Sequence, residues 1–411
     1  MSGGGMAAAL SECPTARQHR DGREAASFDP HSPRRAVEWR EAERDVTGTD
    51  GPIRVFVHLA ANKDAGEWRR AWQSGELVGV NDETPYGYGR AEQMGCALAF
   101  SESAGRGLLK AGLRLALRVV LGFDFLHAWN QRRAIARADI VWTHTESQAL
   151  AVAAVLLLTG AKTKLLGQVV WLIDRWPHLG PLHRMVFRRL VARIDVMTFH
   201  SRANYERARV LFPETDLRIV PFGIPTETAH QPHTRGKGPL HVLALGNDRD
   251  RDWQTLAQAV SGEVDMDLLI LSGEAPAGLA RGQDNIRVRR ARTNEELRRE
   301  YEAADVVCVP LRPNLHASGA TVVQEAVLAG VPVVATDVGG LDLYFSSHEI
   351  AYVPPGDPVA LREMLRSIAE DPDAALARAT AAQARLCDSG KLGAEAYIAH
   401  HVRISRELVC R

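Results

Sequence analysis

A chain of 411 residues, 45% hydrophobic and 24% charged, has the composition of a globular protein with enough apolar residues for two or three cores. Its 50 Lys and Arg balance 50 Asp and Glu, so no overall charge directs it to nucleic acid. Five scattered cysteines (Cys13, Cys96, Cys308, Cys387, Cys410) lack Cys-x-x-Cys spacing, which argues against a disulfide framework and a zinc site and for a reducing compartment.

Residues 1–50 mix Gly, Ala, Ser and alternating charges without an apolar period, and read as a mobile leader with no signal-peptide core. From Ile53 short apolar runs alternate with helix-like stretches. The first half, 51–224, offers strands at 53–60, 138–145, 168–174, 194–201 and 218–223. Near-continuous apolar strands of this kind belong to a parallel sheet covered on both faces. Between Gly51 and Pro225, 23 Lys and Arg face 15 Asp and Glu, an excess that suits an anionic acceptor or membrane surface. The basic residues Arg106, Lys110, Arg114 and Arg118 recur every four positions in an apolar segment, and 183–193 repeats the pattern, so both helices suit a membrane interface. A core-packed helix with a solvated basic stripe accounts for each segment equally well. The longest apolar run, Ala149–Leu158, is about half of what a bilayer crossing requires.

The stretch 225–239 is polar and rich in Pro, as a linker is. Strands follow at 240–246, 266–273, 304–311 and 331–337, with helices at 293–304 and 357–371; Thr293 and Glu296 have the spacing of a capping box. Two Rossmann-like halves, 51–224 and 240–388, therefore face each other across a cleft, and 389–411 forms a last helix that can cross back to the first half.

The residues from Ala304 to Gly340 carry most of the chemistry. A buried strand runs into a small-residue loop, Arg312–Thr321, and then a helix over 322–330. Unpaired backbone N–H groups at such a helix start favour a bound phosphate. Glu325, one turn in, is placed to accept sugar hydroxyls. In "GNDRDRDW" (246–253), Arg249 and Arg251 leave a strand and enter a helix, where guanidinium groups suit a diphosphate; Asp248, Asp250 and Asp252 can instead neutralise them locally. His144 and Glu146 follow one first-half strand and Asp174 ends another, at the strand ends where open α/β sheets bind ligands. Tyr86 and Arg90 lie in a Gly- and Tyr-containing loop suited to sugar stacking. For all five, a structural role is as open as a functional one.

The donor segment resembles the retaining glycosyltransferases of family 4, which have the GT-B fold. The match lies at Glu325, Ala326, Gly330, Pro332, Val333, Val334, Ala335, Thr336, Gly339 and Gly340; Ala317 stands where the family has its first Glu. The resemblance implies an α/β GT-B enzyme, a metal-independent transferase of hexosyl type, that moves a sugar from a nucleotide-diphosphate donor to a saccharide, with a lipid-linked saccharide as the expected acceptor in surface polysaccharide synthesis. Gly246, Asn247, Arg249, Arg251, His316, Ser318, Gly319, Ala320, Thr321 and Glu325 would bind the donor. Tyr86, Arg90, His144, Glu146 and Asp174 would face the acceptor, and His144, Asp174 and Glu325 would take part in catalysis. No cofactor, metal or nucleic acid is expected, and the location expected is cytoplasmic, with peripheral membrane contact. The missing first Glu keeps one alternative open, a catalytically weak binding subunit of a polysaccharide assembly complex; a GT-B sugar-nucleotide epimerase is a further one.

Overall fold

The computed structural model describes residues 51–410 except 62, 104–107, 234–237 and 277. The leader 1–50, Arg106 and the middle of the linker lie outside the described residues, as does the side chain of Lys110.

Two six-stranded parallel sheets organise the chain. The first contains β1 (Ile53–His58), β2 (Cys96–Phe100), β3 (Ile140–Thr143), β4 (Lys164–Val169), β5 (Val196–Phe199) and β6 (Leu217–Ile219), in the order β2-β1-β3-β4-β5-β6. The second contains β7 (Leu240–Leu245), β8 (Met266–Leu271), β9 (Ile286–Arg289), β10 (Val306–Val309), β11 (Val333–Thr336) and β12 (Ala351–Val353), in the order β12-β11-β10-β7-β8-β9. Side chains of one strand serve both faces: Leu243 and Val307 enter one core with Val323, while Val242 and Cys308 enter another with Leu256. That double burial is why these strands are apolar without alternation. Cys308 is a core residue whose thiol is pushed up to about 12 by burial, so it is no nucleophile.

One expected strand is misplaced. The run 168–174 is not a single strand, because β4 stops at Val169 and Leu172–Arg175 is a short helix with Leu172 and Ile173 buried. An apolar run spanning a strand end and a buried helix start has no period that separates them. Asp174 therefore sits in a helical turn and not at a strand end. The short strands β2 and β12 had no counterpart among the expected ones. The donor helix starts at Ala320, two residues before its expected start.

The helix Gly393–Val409 lies against the first sheet. There Tyr397 donates to Gln168 Oε1 at 2.6 Å, and Trp142 Nε1 donates to Ser405 Oγ at 2.9 Å. Between the sheets Gln324 ties down the strap near Ile224: its Oε1 accepts from the Ile224 amide and its Nε2 donates to the Phe222 carbonyl. These contacts set the two sheets on either side of one cleft.

Candidate active site

The donor loop is built around two glycines and a buried arginine. Gly319, the residue before the helix Ala320–Leu328, has φ 87°, and a Cβ there would lie 2.6 Å from Val309 Cγ1 and 3.0 Å from Arg251 Nη1. Gly246 has φ 128°, and a Cβ on it would lie 2.5 Å from Arg251 Nε. Only glycine fits at either position. Arg251 is 4% exposed and fills the space between them, donating from Nε to the Leu245 carbonyl at 3.0 Å and from Nη1 to Ser318 Oγ at 3.4 Å. Burial depresses its pKa to about 10, still well above neutrality, so it is a fixed positive charge beneath the helix start.

The other donor-side residues are less free than the sequence suggests. Asn247 Oδ1 accepts from the Gly273 amide at 2.7 Å and from Ser272 Oγ at 3.2 Å. Arg249 is exposed, with Nε 3.6 Å from Asp250 Oδ2. Ala320 and Thr321 form the first turn of the helix, and Ser318 is buried.

Glu325 is buried and joins the two halves. Its Oε1 accepts from the Val80 amide at 2.9 Å, and its Oε2 accepts from Tyr301 OH at 3.1 Å. Burial raises its pKa, partly offset by these two donors. Asn294 supports the same junction, accepting from the Gly79 amide and donating to the Leu77 carbonyl, both at 2.8 Å. A cleft of about 620 Å³ opens beside Glu325, lined by Trp72, Asn81, Arg90, Asn294 and Tyr301. Its size suits a nucleotide-sized ligand.

Asp174 closes the opposite side. Its Oδ1 accepts from the Leu315 amide at 2.8 Å and its Oδ2 lies 3.1 Å from His316 Nδ1; Ser201 Oγ bonds the Leu315 carbonyl beside it. His316 is 3% exposed, and its Nε2 points at Asp250 Oδ2 (3.5 Å) and Asp248 Oδ2 (3.6 Å). Burial opposes a charged imidazole, but Asp174 and Asp248 outweigh it and hold the His316 pKa up at about 9; the same contact keeps Asp248 at about 2 despite its own burial.

The first-half residues form a separate group. Tyr86, at φ 57°, stacks on His144 with ring centroids 3.4 Å apart and planes 14° apart, an unfavourable backbone conformation held by the packing around it. His144 Nδ1 lies 3.1 Å from Tyr88 OH, and burial with His200 and His401 nearby keeps the ring well below its ordinary pKa. Two residues expected to face an acceptor already hold protein groups. Glu146 is buried, its Oε2 accepting from the Val170 and Trp171 amides at 3.2 Å. Arg90 forms ion pairs with Asp82 at 2.7 Å and Glu227 at 2.5 Å. The structure thus brings Asp174 to His316 and Arg251 to Ser318, and leaves His144 under Tyr86. Tyr301, Asn294 and Val80 escape sequence reasoning because each is an ordinary residue until the halves dock. Only the Asp-x-Asp of "DRDRD" carried a readable signal, and arginines beside every acid obscured it.

Residues 240–371 match the model of the family described as glycosyl transferases group 1. The chain is 28% identical over 207 residues to a D-inositol 3-phosphate glycosyltransferase of Corynebacterium kroppenstedtii, covering 44% of this chain and 45% of that protein. It thus spans about half the length of the curated relatives it matches. A sucrose-phosphate synthase from Thermosynechococcus elongatus superposes with a TM-score of 0.65 at 17% identity, over 87% of this chain and 99% of that one. HepE of Anabaena, solved with UDP-glucose, gives 0.59 at 13% identity, over 87% and 100%. The chain therefore has the GT-B fold, and it resembles the group 1 glycosyltransferases.

Proposed function

We propose that this protein transfers a hexosyl group from a nucleotide-diphosphate donor to a saccharide acceptor with retention of configuration. One observation carries the reading: the helix Ala320–Leu328 starts over the fixed charge of Arg251, and Glu325, one turn in, lines the cleft of about 620 Å³. The backbone N–H of Thr321 and the Arg251 guanidinium would take the diphosphate, the Ala320 N–H being bonded to the Ala317 carbonyl at 3.2 Å. Glu325 would accept ribose hydroxyls.

The way three carboxylates are used supports retention. Asp174, Glu146 and Glu325 each hold backbone amides, so none of the three stands free as the base that an inverting displacement requires. In a front-face route the bond from the anomeric carbon to the phosphate oxygen breaks and a bond to the acceptor oxygen forms. The acceptor proton passes to the departing phosphate oxygen. Catalysis is then positioning and stabilisation of that diphosphate.

The acceptor proposed is lipid-linked, as in surface polysaccharide assembly. Among the described residues no helix is long and apolar enough to cross a membrane. The helices Leu108–Leu121 and Pro181–Val191 meet where His183 Nε2 donates to the Val120 carbonyl at 2.9 Å. Together they expose Leu113, Leu115, Val119 (74%), Val120, Leu182 (68%) and Met185, flanked by the exposed Arg118, Arg188 and Arg189. An apolar patch with a basic rim suits an anionic bilayer surface. Arg114 is not part of that rim, because it pairs with Asp124 at 2.5 Å.

Thermal-shift titration with UDP, GDP, ADP and their sugars, followed by chromatography of the released nucleoside diphosphate and product, tests the reading. A transferase releases nucleoside diphosphate only when an acceptor is consumed. Binding without turnover leaves the assembly-subunit reading, and an altered sugar nucleotide formed without acceptor would establish an epimerase.

A further inference from the structure

We infer that the segment 75–81 of the first half is an autoinhibitory strap, which covers the Glu325 carboxylate until an incoming nucleotide displaces it. The segment follows the helix Ala65–Gln73 and has no regular structure of its own. Hydrogen bonds carry it onto the second half. The Val80 amide donates to Glu325 Oε1 at 2.9 Å, the Gly79 amide to Asn294 Oδ1 at 2.8 Å, and Asn294 Nδ2 to the Leu77 carbonyl at 2.8 Å. Gly79 makes the approach possible: its φ is 105°, and a Cβ on it would lie 2.8 Å from Glu325 Oε1. The strap backbone thus lies directly against a carboxylate that is 8% exposed. On its own half the strap is anchored at its two ends. Gly75, with φ 75°, and Glu76 close a turn onto the Trp72 and Ala71 carbonyls, and Trp72 Nε1 donates to the Asn81 carbonyl at 3.0 Å. Between these ends Val78 is exposed and Leu77 and Val80 are half-buried, so the bonds to Asn294 and Glu325 hold the span more than a core does.

The consequence rests on the proposed role of Glu325 at the ribose. Its Oε2 accepts from Tyr301 OH at 3.1 Å and its Oε1 from Val80, so each oxygen already holds a donor. A ribose diol that donates to this carboxylate needs the side that the strap covers. The exchange replaces one neutral donor on a charged acceptor by another, so it changes little by itself. What the nucleotide must supply is the release of the strap. The strap also walls the cleft of about 620 Å³, with Leu77, Val80 and Asn81 on one side and Leu297, Tyr301 and Glu325 on the other. Its departure therefore widens the cleft and uncovers the carboxylate in one movement. Apparent nucleotide affinity is lowered by the fraction of chains in which the strap is docked. A clamp that closes over bound ligand behaves in the opposite way, because it keeps these bonds when the nucleotide is present.

The test uses the full chain. Asn294→Ala removes the acceptor for the Gly79 amide and the donor to the Leu77 carbonyl without touching Glu325. In calorimetric titrations with UDP, GDP and ADP, the variant should bind whichever of the three binds best roughly three- to tenfold more tightly than the wild type does. Hydrogen exchange of the wild type, read by mass spectrometry, needs no variant. Amides of 77–81 should exchange faster with that nucleotide bound, while those of the helix Ala320–Leu328 exchange more slowly. If a circular dichroism melt finds Asn294→Ala unfolded, the exchange measurement decides alone. Equal or weaker nucleotide binding by the folded variant, or unchanged or slower exchange of the strap on binding, overturns the inference. Such a result with a nucleotide bound removes the strap and keeps the donor site. No binding of UDP, GDP or ADP by the wild type or the folded variant removes the donor site, and the strap with it.

Discussion

Asp174 and His316, 142 residues apart in sequence, meet at 3.1 Å, and the second oxygen of the same carboxylate accepts from the Leu315 amide. A single acid on the first half thus sets both the course of the donor loop and the direction of its buried imidazole. Asp174→Asn keeps an acceptor for the Leu315 amide but removes the charge facing the ring. Nucleoside diphosphate affinity should fall roughly tenfold with little change in melting temperature. Calorimetry with UDP and a thermal melt check this, and unchanged affinity would assign Asp174 a merely structural role.

Glu325 separates stability from ligand binding. Glu325→Ala strips acceptors from the Val80 amide and Tyr301 OH in a buried setting, at a cost of about 1–3 kcal/mol. Glu325→Gln keeps a carbonyl for Val80 and should be nearly as stable as the wild type. If the carboxylate also receives ribose hydroxyls, the Gln variant still loses nucleotide affinity by about tenfold. Denaturant unfolding and UDP titration of both variants distinguish the two effects.

Gly319→Ala is expected to be disproportionately harmful for one methyl group. The positive φ costs about 1 kcal/mol, and the new Cβ displaces either Val309 or the Arg251 guanidinium. Donor binding and melting temperature should therefore fall together. Retained affinity in a destabilised variant would show that Arg251 does not need its present position.

Buried histidines make folding sensitive to mild acid. Burial lowers His200 and His401 to about 4, and holds His58 and His144 well below their ordinary value. These rings are neutral in the native chain but take up protons in the unfolded chain below about pH 6.5, so each one costs stability as pH falls from about 6.5 towards 4. The slope is about 1.4 kcal/mol per pH unit for each ring. The raised carboxyl groups of Glu146 and Glu325 act in the opposite sense. The clean measurement is therefore a difference. The urea midpoint of His401→Gln should vary less steeply over that window than that of the wild type, by about one proton, and parallel profiles would contradict a neutral buried His401.

Membrane contact should depend on the apolar patch more than on the full basic stripe. Val119→Glu combined with Leu182→Glu ought to release the protein from anionic vesicles in co-sedimentation, while UDP titration stays unchanged. Co-sedimentation that persists in the double variant would remove the bilayer from the proposed function and favour a soluble acceptor.

Sequence alone determined four of the strands of the second half and the place of its donor segment. Strands β7, β8, β10 and β11 are runs of apolar residues buried on both faces, and burial of that kind is written into consecutive positions. Strand, glycine turn and helix from Val306 to Leu328 are likewise contiguous, so their order could be read directly. The tertiary structure decided what those residues touch. It turned Asp174 out of an expected strand, gave Glu325 a partner 245 residues away at Val80, paired Arg114 with Asp124, occupied Glu146 with backbone amides, and converged Asp248 and Asp250 on His316. Local periodicity reports which face of an element is buried. It carries no information on how two halves dock, and the partner of a buried polar group is fixed only by that docking.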